Sequence, residues 1–352
     1  MAKNVEETQK KAPVIRAVDI GFGFTKYNKL QNNELVYDNF ISLAPRSSKI
    51  ESEAFSMMNE RDTVVVSIDG SDYEIGPDSH LLETVDSTRT LNDQYINTTQ
   101  YKALFYGALH YMNEDVIDLL VVGLPVSNFK TQSQKLKEIM TGTHKINSKK
   151  TIEVKNVLVV MQPMGALKYC LIDPALKDLD IAHSNNLIID PGFFTFDFVM
   201  ASGSKIIENK SDSPPGGVNR VLHAIAESIS NKIGKKYENH NAIDKGLRKR
   251  KLKIAGKEED LLEHIKNTKS IIESPIIYMK NIIGDGGDVD NILLAGGGAS
   301  IFEKTIKEFY PDRDIIKLPD SNVINVKGYQ AIGEEYFDKF LKELFESSGN
   351  AW

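Results

Sequence analysis

The chain has 352 residues, 41% of them hydrophobic and 26% charged, with a formal net charge of −6. That length suits two or three domains with full cores, and the acidic balance argues against general coating of nucleic acid or adhesion to anionic membranes. A single cysteine, Cys170, excludes an intramolecular disulfide and fits a reducing cytoplasm, and no stretch reaches the ~18 apolar residues of a membrane span.

In chain order, residues 1–12 are polar, lack an apolar h-region and read as a disordered tail, not a signal peptide. Val14 to Ile20 is a buried-strand pattern that runs into Gly21-Phe22-Gly23, and Phe24 to Tyr27 resumes the strand as a hairpin. Val64 to Ile68 meets Asp69-Gly70, a hairpin signal, before Tyr73 and Ile75 continue the alternation, so residues from about 30 to 80 read as a β-rich insertion. Tyr101 to Met112 has helical spacing. Leu119 to Leu124 and Val157 to Met161 are buried strands, the second running into Gln162-Pro163-Met164-Gly165-Ala166. Cys170 follows in an apolar run, where a packed core thiol is expected.

The plan then restarts. Asn186 to Asp190 is a strand, Pro191-Gly192-Phe193 a turn, and Phe194 to Met200 pairs back before Ser202-Gly203-Ser204 closes another hairpin. Pro214-Pro215-Gly216-Gly217 opens a helix from about Val218 to Ile233. Residues from about 235 to 280 are charged and read as a second insertion; its basic run from Lys245 to Lys253 is expected to be a solvated helix face, with an acidic partner, DNA or a neighbouring subunit as the alternatives. Asp285-Gly286-Gly287-Asp288-Val289-Asp290 lacks the twelfth-position Glu of a calcium loop, Gly296 standing there, and reads as a turn. Val289 to Leu294 is a strand that feeds Gly296-Gly297-Gly298. Beyond residue 329 an apolar stripe (Tyr336, Phe337, Phe340, Leu341, Leu344, Phe345) marks a last helix; its polar face is mostly acidic, so docking onto the first half is expected over membrane anchoring. The repeated strand-turn-strand plan predicts an α/β fold of two related halves, 13–170 and 171–328, around a cleft, with 329–352 returning to the first half.

Chemistry concentrates at three glycine turns. Without Cβ atoms, a turn lets backbone N–H groups approach phosphate oxygens closely. Asp19 and Asp190, at matching strand ends about 170 residues apart, are hard oxygen anions suited to Mg²⁺ or its waters. An Asp that merely caps a turn through its own backbone is the plainer alternative for each. The matched pair suggests two halves gripping one nucleotide from opposite sides. Thr25 and Thr195 add hydroxyl or backbone donors, though both are also ordinary strand residues.

The ordered set of turns resembles the superfamily of actins, heat-shock chaperone ATPases and sugar kinases, over about Val14 to Tyr336. Leu119 to Val126, with its Gly-Leu-Pro, is similar to plasmid-segregation actins of the ParM type. The resemblance implies an actin-like fold, ATP or ADP with Mg²⁺ as ligands, and phosphate contacts from Gly21, Gly23, Thr25 and Lys26 in the first half and Gly192 and Thr195 in the second. It gives Gly296, Gly297 and Gly298 to the adenosine and α-phosphate, and Gly216 and Gly217 to the ribose unless they only start a helix. Lys26, seven residues after Asp19, takes the place of a lysine on the β- and γ-phosphates; an exposed strand lysine is the alternative. Gln162 stands where the family orients its attacking water, beside Asp19 and Asp190 as metal-holding carboxylates, through water; a Gln capping a strand end is its alternative. Phe193 and Phe194 depart from the small or polar residues usual in the second turn. The implied function is a cytoplasmic ATPase that polymerises with itself, using a DNA-binding adaptor to move plasmid DNA without touching it directly. A small-molecule kinase of the same superfamily and a nucleotide-dependent scaffold that does not polymerise are the alternatives; a chaperone would need a substrate-binding domain.

Overall fold

The computed structural model describes residues 12–47, 61–82, 94–249 and 251–349, without the side chains of Arg248 and residues 340–349. The expected tail, apart from residue 12, and Phe340, Leu341, Leu344 and Phe345 of the C-terminal stripe thus lie outside the described residues or side chains.

The first half builds a five-stranded sheet from β1 (Ile15–Ile20), β2 (Phe24–Gln31), β3 (Glu34–Ile41), β7 (Leu119–Leu124) and β10 (Val157–Met161). Between β3 and β7 come the hairpin β4 (Val64–Ile68) and β5 (Ser71–Ile75), the helix α1 (Thr99–Met112) and the short β6 (Val116–Ile117). After β7 come α2 (Val126–Met140), β8 (Gly142–Lys145) and β9 (Thr151–Val154), and β6, β9 and β8 form a small sheet. All six residues of β1 are buried, Ile15, Ala17, Val18 and Ile20 as apolar residues of a central strand and Arg16 and Asp19 as partners of Glu114 and Lys26. The Thr98 side chain accepts from the Tyr101 N–H and so caps α1, whose buried face includes Leu104, Phe105 and Leu109. β2 and β3 pair over their whole length through the turn at Asn32-Asn33, so residues 30–41 belong to the principal sheet and the insertion begins after Ile41, later than the sequence pattern suggests.

The second half repeats the layout with β11 (Asn185–Pro191), β12 (Phe196–Ser202), β13 (Lys205–Ile206), β16 (Asn291–Leu294) and β17 (Ile315–Lys317). The orders match strand for strand: β10-β7-β1-β2-β3 in one sheet and β17-β16-β11-β12-β13 in the other, each with three parallel strands followed by antiparallel partners. The helix α4 (Val218–Ile233) begins where the Gly-Gly pair predicts. An outer unit follows, made of α5 (His240–Lys249), β14 (Lys251–Ile254), β15 (Lys257–Asp260) and α6 (Leu261–Lys266). Its basic run crosses from helix to strand and is not a single helical face. Then α7 (Lys269–Ile283) buries Ile276 and Met279 in the second-half core, and α8 (Ala299–Phe309) follows the triple-glycine turn.

Two helices join the halves. α3 (Gln162–Ile172) leaves the first sheet, yet Ala166, Leu167 and Cys170 pack with Ile188, Ala201 and Leu293 of the second. α9 (Ile324–Gly349) leaves the second half, yet Val326 and Tyr329 pack with Ile15, Ala17, Leu119 and Val121 of the first. The return helix starts at Ile324, five residues before the expected boundary, because it runs unbroken through Gly328. A Cβ at Gly328 would lie 1.8 Å from the Gly165 carbonyl oxygen, so only glycine permits the crossing. Farther along α9, Glu335 bonds to Lys168 of α3, which with Lys339 draws its carboxyl down to about 2, and Phe337 packs on the first sheet. Burial pushes the Cys170 thiol up to about 12, the property of an inert core group.

Gly328→Ala should therefore cost about 2–3 kcal/mol of stability, the scale of overpacking with a backbone clash. Urea unfolding measures it; Gly70→Ala, where an added Cβ meets nothing within 4 Å, serves as the comparison and should show only backbone strain.

Candidate nucleotide-binding site

Both Asp-Gly turns have the same construction. Gly21 N–H donates to Phe24 O at 3.1 Å, and Gly192 N–H to Thr195 O at 2.9 Å, so each turn folds the returning strand back over its aspartate. The registers match as well: Asp19 lies opposite Lys26 and Asp190 opposite Asp197, seven residues on in each half. Asp197 is 2% exposed and faces the cleft, so it is not a surface-strand residue.

In the first half, Lys26 Nζ donates to Asp19 Oδ2 at 2.7 Å, and Gln162 Nε2 donates to Asp19 Oδ1 at 2.8 Å. Both oxygens of this buried carboxylate are thereby satisfied. Burial alone would lower the Lys26 pKa, but the carboxylates of Asp19, Asp190 and Asp197 outweigh it and the net shift is upward, so the ammonium stays charged. In the second half, burial raises the Asp190 pKa, with Asp19 adding to it, while Lys26 and the 2.6 Å bond from Asn325 Nδ2 hold it down. Asp197 is pushed up to about 7 by burial and then by Asp190. Its oxygens accept from Thr195 Oγ1 at 2.5 Å, from the Ser213 hydroxyl, and from Val126 N–H at 3.3 Å. That last bond crosses between halves, since Val126 opens α2.

These groups line one cleft of about 360 Å³, within the range of small-ligand sites. Asp19, Gly21, Gly23, Lys26 and Gln162 face it from the first half, and Asp190, Gly192, Thr195, Gly297 and Gly298 from the second. Four of the singled-out residues lie just outside the lining. Thr25 is fully buried, its hydroxyl 3.0 Å from that of Ser42. Gly296 has φ +78° and sits against Asp190, where a Cβ would come 2.0 Å from Oδ1. Gly216 packs on Pro275 of α7, and Gly217 on the Gly192 and Phe193 backbone, which seats the start of α4 behind the second turn.

The lining also holds residues that no local pattern marks. Asn241 and Asp244 come from α5 of the outer unit, Asn39 from β3, and Asn322 from the loop before α9. Phe22 and Phe194, from the two turns, meet with ring centroids 4.8 Å apart, and Phe22 stacks on Tyr95 at 4.3 Å. Both phenylalanines that depart from the usual second turn line the cleft and meet the opposite turn, Phe194 through Phe22 and Phe193 against Gly23, where an added Cβ would come 2.9 Å from its own, and Phe193 also packs against the second-half core.

Two family models match the chain in succession: actin like proteins N terminal domain over residues 17–165, and archaeal actin homologue MreB-like, C-terminal, over residues 188–308. The chain belongs to the actin-like superfamily. No curated protein matches it by sequence. Among solved structures, this actin-like chain is similar to an apo psk41 ParM (22% identity, TM-score 0.65, covering 94% of this chain and 99% of that one). It is also similar to ParM in a 15-stranded filament from Clostridium botulinum (20% identity, TM-score 0.72, covering 92% and 99%). Ta0583, an archaeal actin homologue in complex with ADP, superimposes with a TM-score of 0.71 at 18% identity, covering 92% and 99%. At these identities the likeness speaks for the fold.

The residues fit a nucleotide with Mg²⁺. Among the described residues no group of three or more His, Cys, Asp and Glu is placed to hold a metal by itself. Mg²⁺ needs no such cage, being held by one or two carboxylates together with waters and substrate phosphates. Asp19 and Asp190 are two such carboxylates in one cleft, each beside a turn with a glycine in the lining.

A carboxyl that binds its proton more tightly folded (about 7) than unfolded (3.8) favours folding at low pH and opposes it increasingly as pH rises from about 4 to about 7. Asp197→Asn should therefore stabilise the ligand-free chain by about 1–2 kcal/mol at pH 8, with a smaller gain at pH 5. Denaturant unfolding at both values checks this; an equal gain at the two would mean that the charge is not its source.

Proposed function

We propose that this actin-like chain binds and hydrolyses ATP and assembles with copies of itself into filaments whose lifetime the hydrolysis limits. The observation that carries the reading is the pair of matched Asp-Gly turns facing each other across one cleft, with Gln162 hydrogen-bonded to the first aspartate. In this reading Asp19 and Asp190 hold Mg²⁺ through its waters, and the ion, when bound, neutralises charge on the phosphates. The N–H groups of Gly21 and Gly192 close the turns, and the remaining turn N–H groups, that of Gly23 among them, receive phosphate oxygens, with Lys26 adding a fixed positive charge beside them. Gly297 and Gly298 leave room for the nucleoside side. Gln162 is too weak a base to take a proton. With Nε2 committed to Asp19, it has Oε1 to offer as acceptor to the attacking water, and so contributes orientation. Slow hydrolysis of that kind suits a timer on a polymer.

Self-assembly is supported by the filament that a relative of the same fold forms, and the ligand by the ADP found in another. Movement of plasmid DNA through an adaptor, in the cytoplasm, is the use that fits the ParM-like fold and the net charge of −6, which disfavours direct DNA contact. Among the described residues no helix is long and apolar enough to cross a membrane. Asp197 supports a second reading. A buried carboxyl in the cleft with its pKa near 7 has the property of a general base for a substrate hydroxyl, which would make the chain a small-molecule kinase.

Sedimentation and light scattering separate the two readings. The unaltered chain, at roughly tens of micromolar to allow for weak single contacts, should pellet with Mg²⁺-ATP and stay in solution without nucleotide, and Asp190→Ala should abolish the response. A chain that stays monomeric and makes ADP only with a small hydroxyl acceptor would be the kinase.

Gln162→Ala should leave ATP affinity nearly intact while slowing phosphate release by roughly ten- to a thousand-fold, the scale for removing a positioning group. Filaments of this variant should form and outlive those of the unaltered chain. An unchanged release rate would remove Gln162 from the mechanism.

A further inference from the structure

The first turn of α3 is held by α9 at both of its polar ends. In an α-helix the N–H of residue 166 and the C=O of residue 162 are each other's partners. Here Ala166 N–H donates to Asn325 Oδ1 at 3.1 Å, and Gln162 O accepts from the Tyr329 hydroxyl at 3.1 Å. Asn325 and Tyr329, four residues apart, share one face of α9. The same Asn325 amide also reaches the second half, its Nδ2 donating to Asp190 Oδ2 at 2.6 Å. Asn325 is 5% exposed and does not line the cleft, so it acts only through its neighbours.

We infer that Asn325 is a positioning residue for hydrolysis, the amide that ties the setting of Gln162 to the position of Asp190. The inference rests on the ATPase reading above. A continuous line of contacts runs from Asp190 through Asn325 to the first turn of α3, along it to Gln162, and on to Asp19 and Lys26. It joins the two aspartates across the cleft. The side chain suits the place: an amide has a donor for the carboxylate at one end and an acceptor for the helix N–H at the other. A carboxylate would repel Asp190, and an aliphatic residue would take from Asp190 Oδ2 its bond to the amide and from the first turn of α3 its tie to α9. Slippage is prevented by packing, since a Cβ at Gly165 would lie 2.4 Å from the Asn325 carbonyl oxygen. A shift of Asp190 when phosphates enter or leave is thereby passed to the turn that carries Gln162.

The test measures phosphate release and ADP affinity for Asn325→Ala, Gln162→Ala and the double variant. Asn325→Ala should lower kcat by about ten- to a hundred-fold, with KM and ADP affinity changed less than about threefold. In the Gln162→Ala background the same change should cost less than about twofold more, because the step it serves is already lost. If Asn325→Ala does not fold, Asn325→Ser, which keeps a hydroxyl in the gap, is read against the same expectations. Losses that multiply in the double variant, or ADP affinity that falls in step with kcat, would make Asn325 a structural or binding residue and overturn the inference. Release that is slowed by Gln162→Ala and untouched by Asn325→Ala would overturn it alone. No release from the unaltered chain would overturn the ATPase reading with it.

Discussion

The backbone-to-backbone crossing of α3 and α9 at Gly165 and Gly328 is the contact on which the rest of this molecule depends. Each helix leaves one half and buries its apolar face on the sheet of the other, so neither half completes its core alone. Close approach at the crossing brings the N-terminal ends of both helices to the back of the cleft. Gln162 and Asn325 are there for that reason, one bonded to Asp19 and the other to Asp190. A wider crossing would move the amides away from the carboxylates they serve.

Charge is the second constraint. Asp19, Asp190 and Asp197 gather around a single ammonium, Lys26, in largely buried positions. Burial of ionised groups is tolerated when hydrogen bonds satisfy them, and each carboxylate here accepts at least one short bond from a named donor. Burial raises the pKa of both Asp190 and Asp197, and Asp197, with the charge of Asp190 beside it, is pushed up to about 7. The surplus of negative charge fits the divalent cation proposed for the cleft.

The internal duplication is close in backbone and unequal in chemistry. Sheet order, turn closure and strand register repeat between halves, yet the residue seven positions after the aspartate is a lysine in one and an aspartate in the other. The lysine meets its own aspartate; the second aspartate instead bonds to Val126 N–H at the start of the first half's α2. One scaffold thus supplies a cleft-facing cation on one side and an inter-half clasp on the other. Phe22 and Phe194 add an apolar contact between the turns themselves.

The sequence alone determined the parts whose signal is local. Apolar runs ending in Asp before glycine marked both central hairpins, because a buried strand and its turn are written in adjacent residues; α1 was legible from helical spacing and α4 from the glycine pair that opens it. Asp19, Asp190, Lys26 and Gln162 stood out by place within those motifs. Tertiary structure alone decided that Gly216 and Gly217 back the second turn instead of lining the cleft, that β2 and β3 extend the main sheet to Ile41, and that Asp197 is buried beside Asp190. It also brought Asn241, Asp244 and Asn322 to the cleft and Asn325 to Asp190, positions that no local pattern marks. Polar residues in loops and helix starts carry no periodicity that distinguishes a solvated side chain from a site residue. What distinguishes them here is the crossing of two helices at glycine, a contact between residues 163 positions apart that no window of sequence contains.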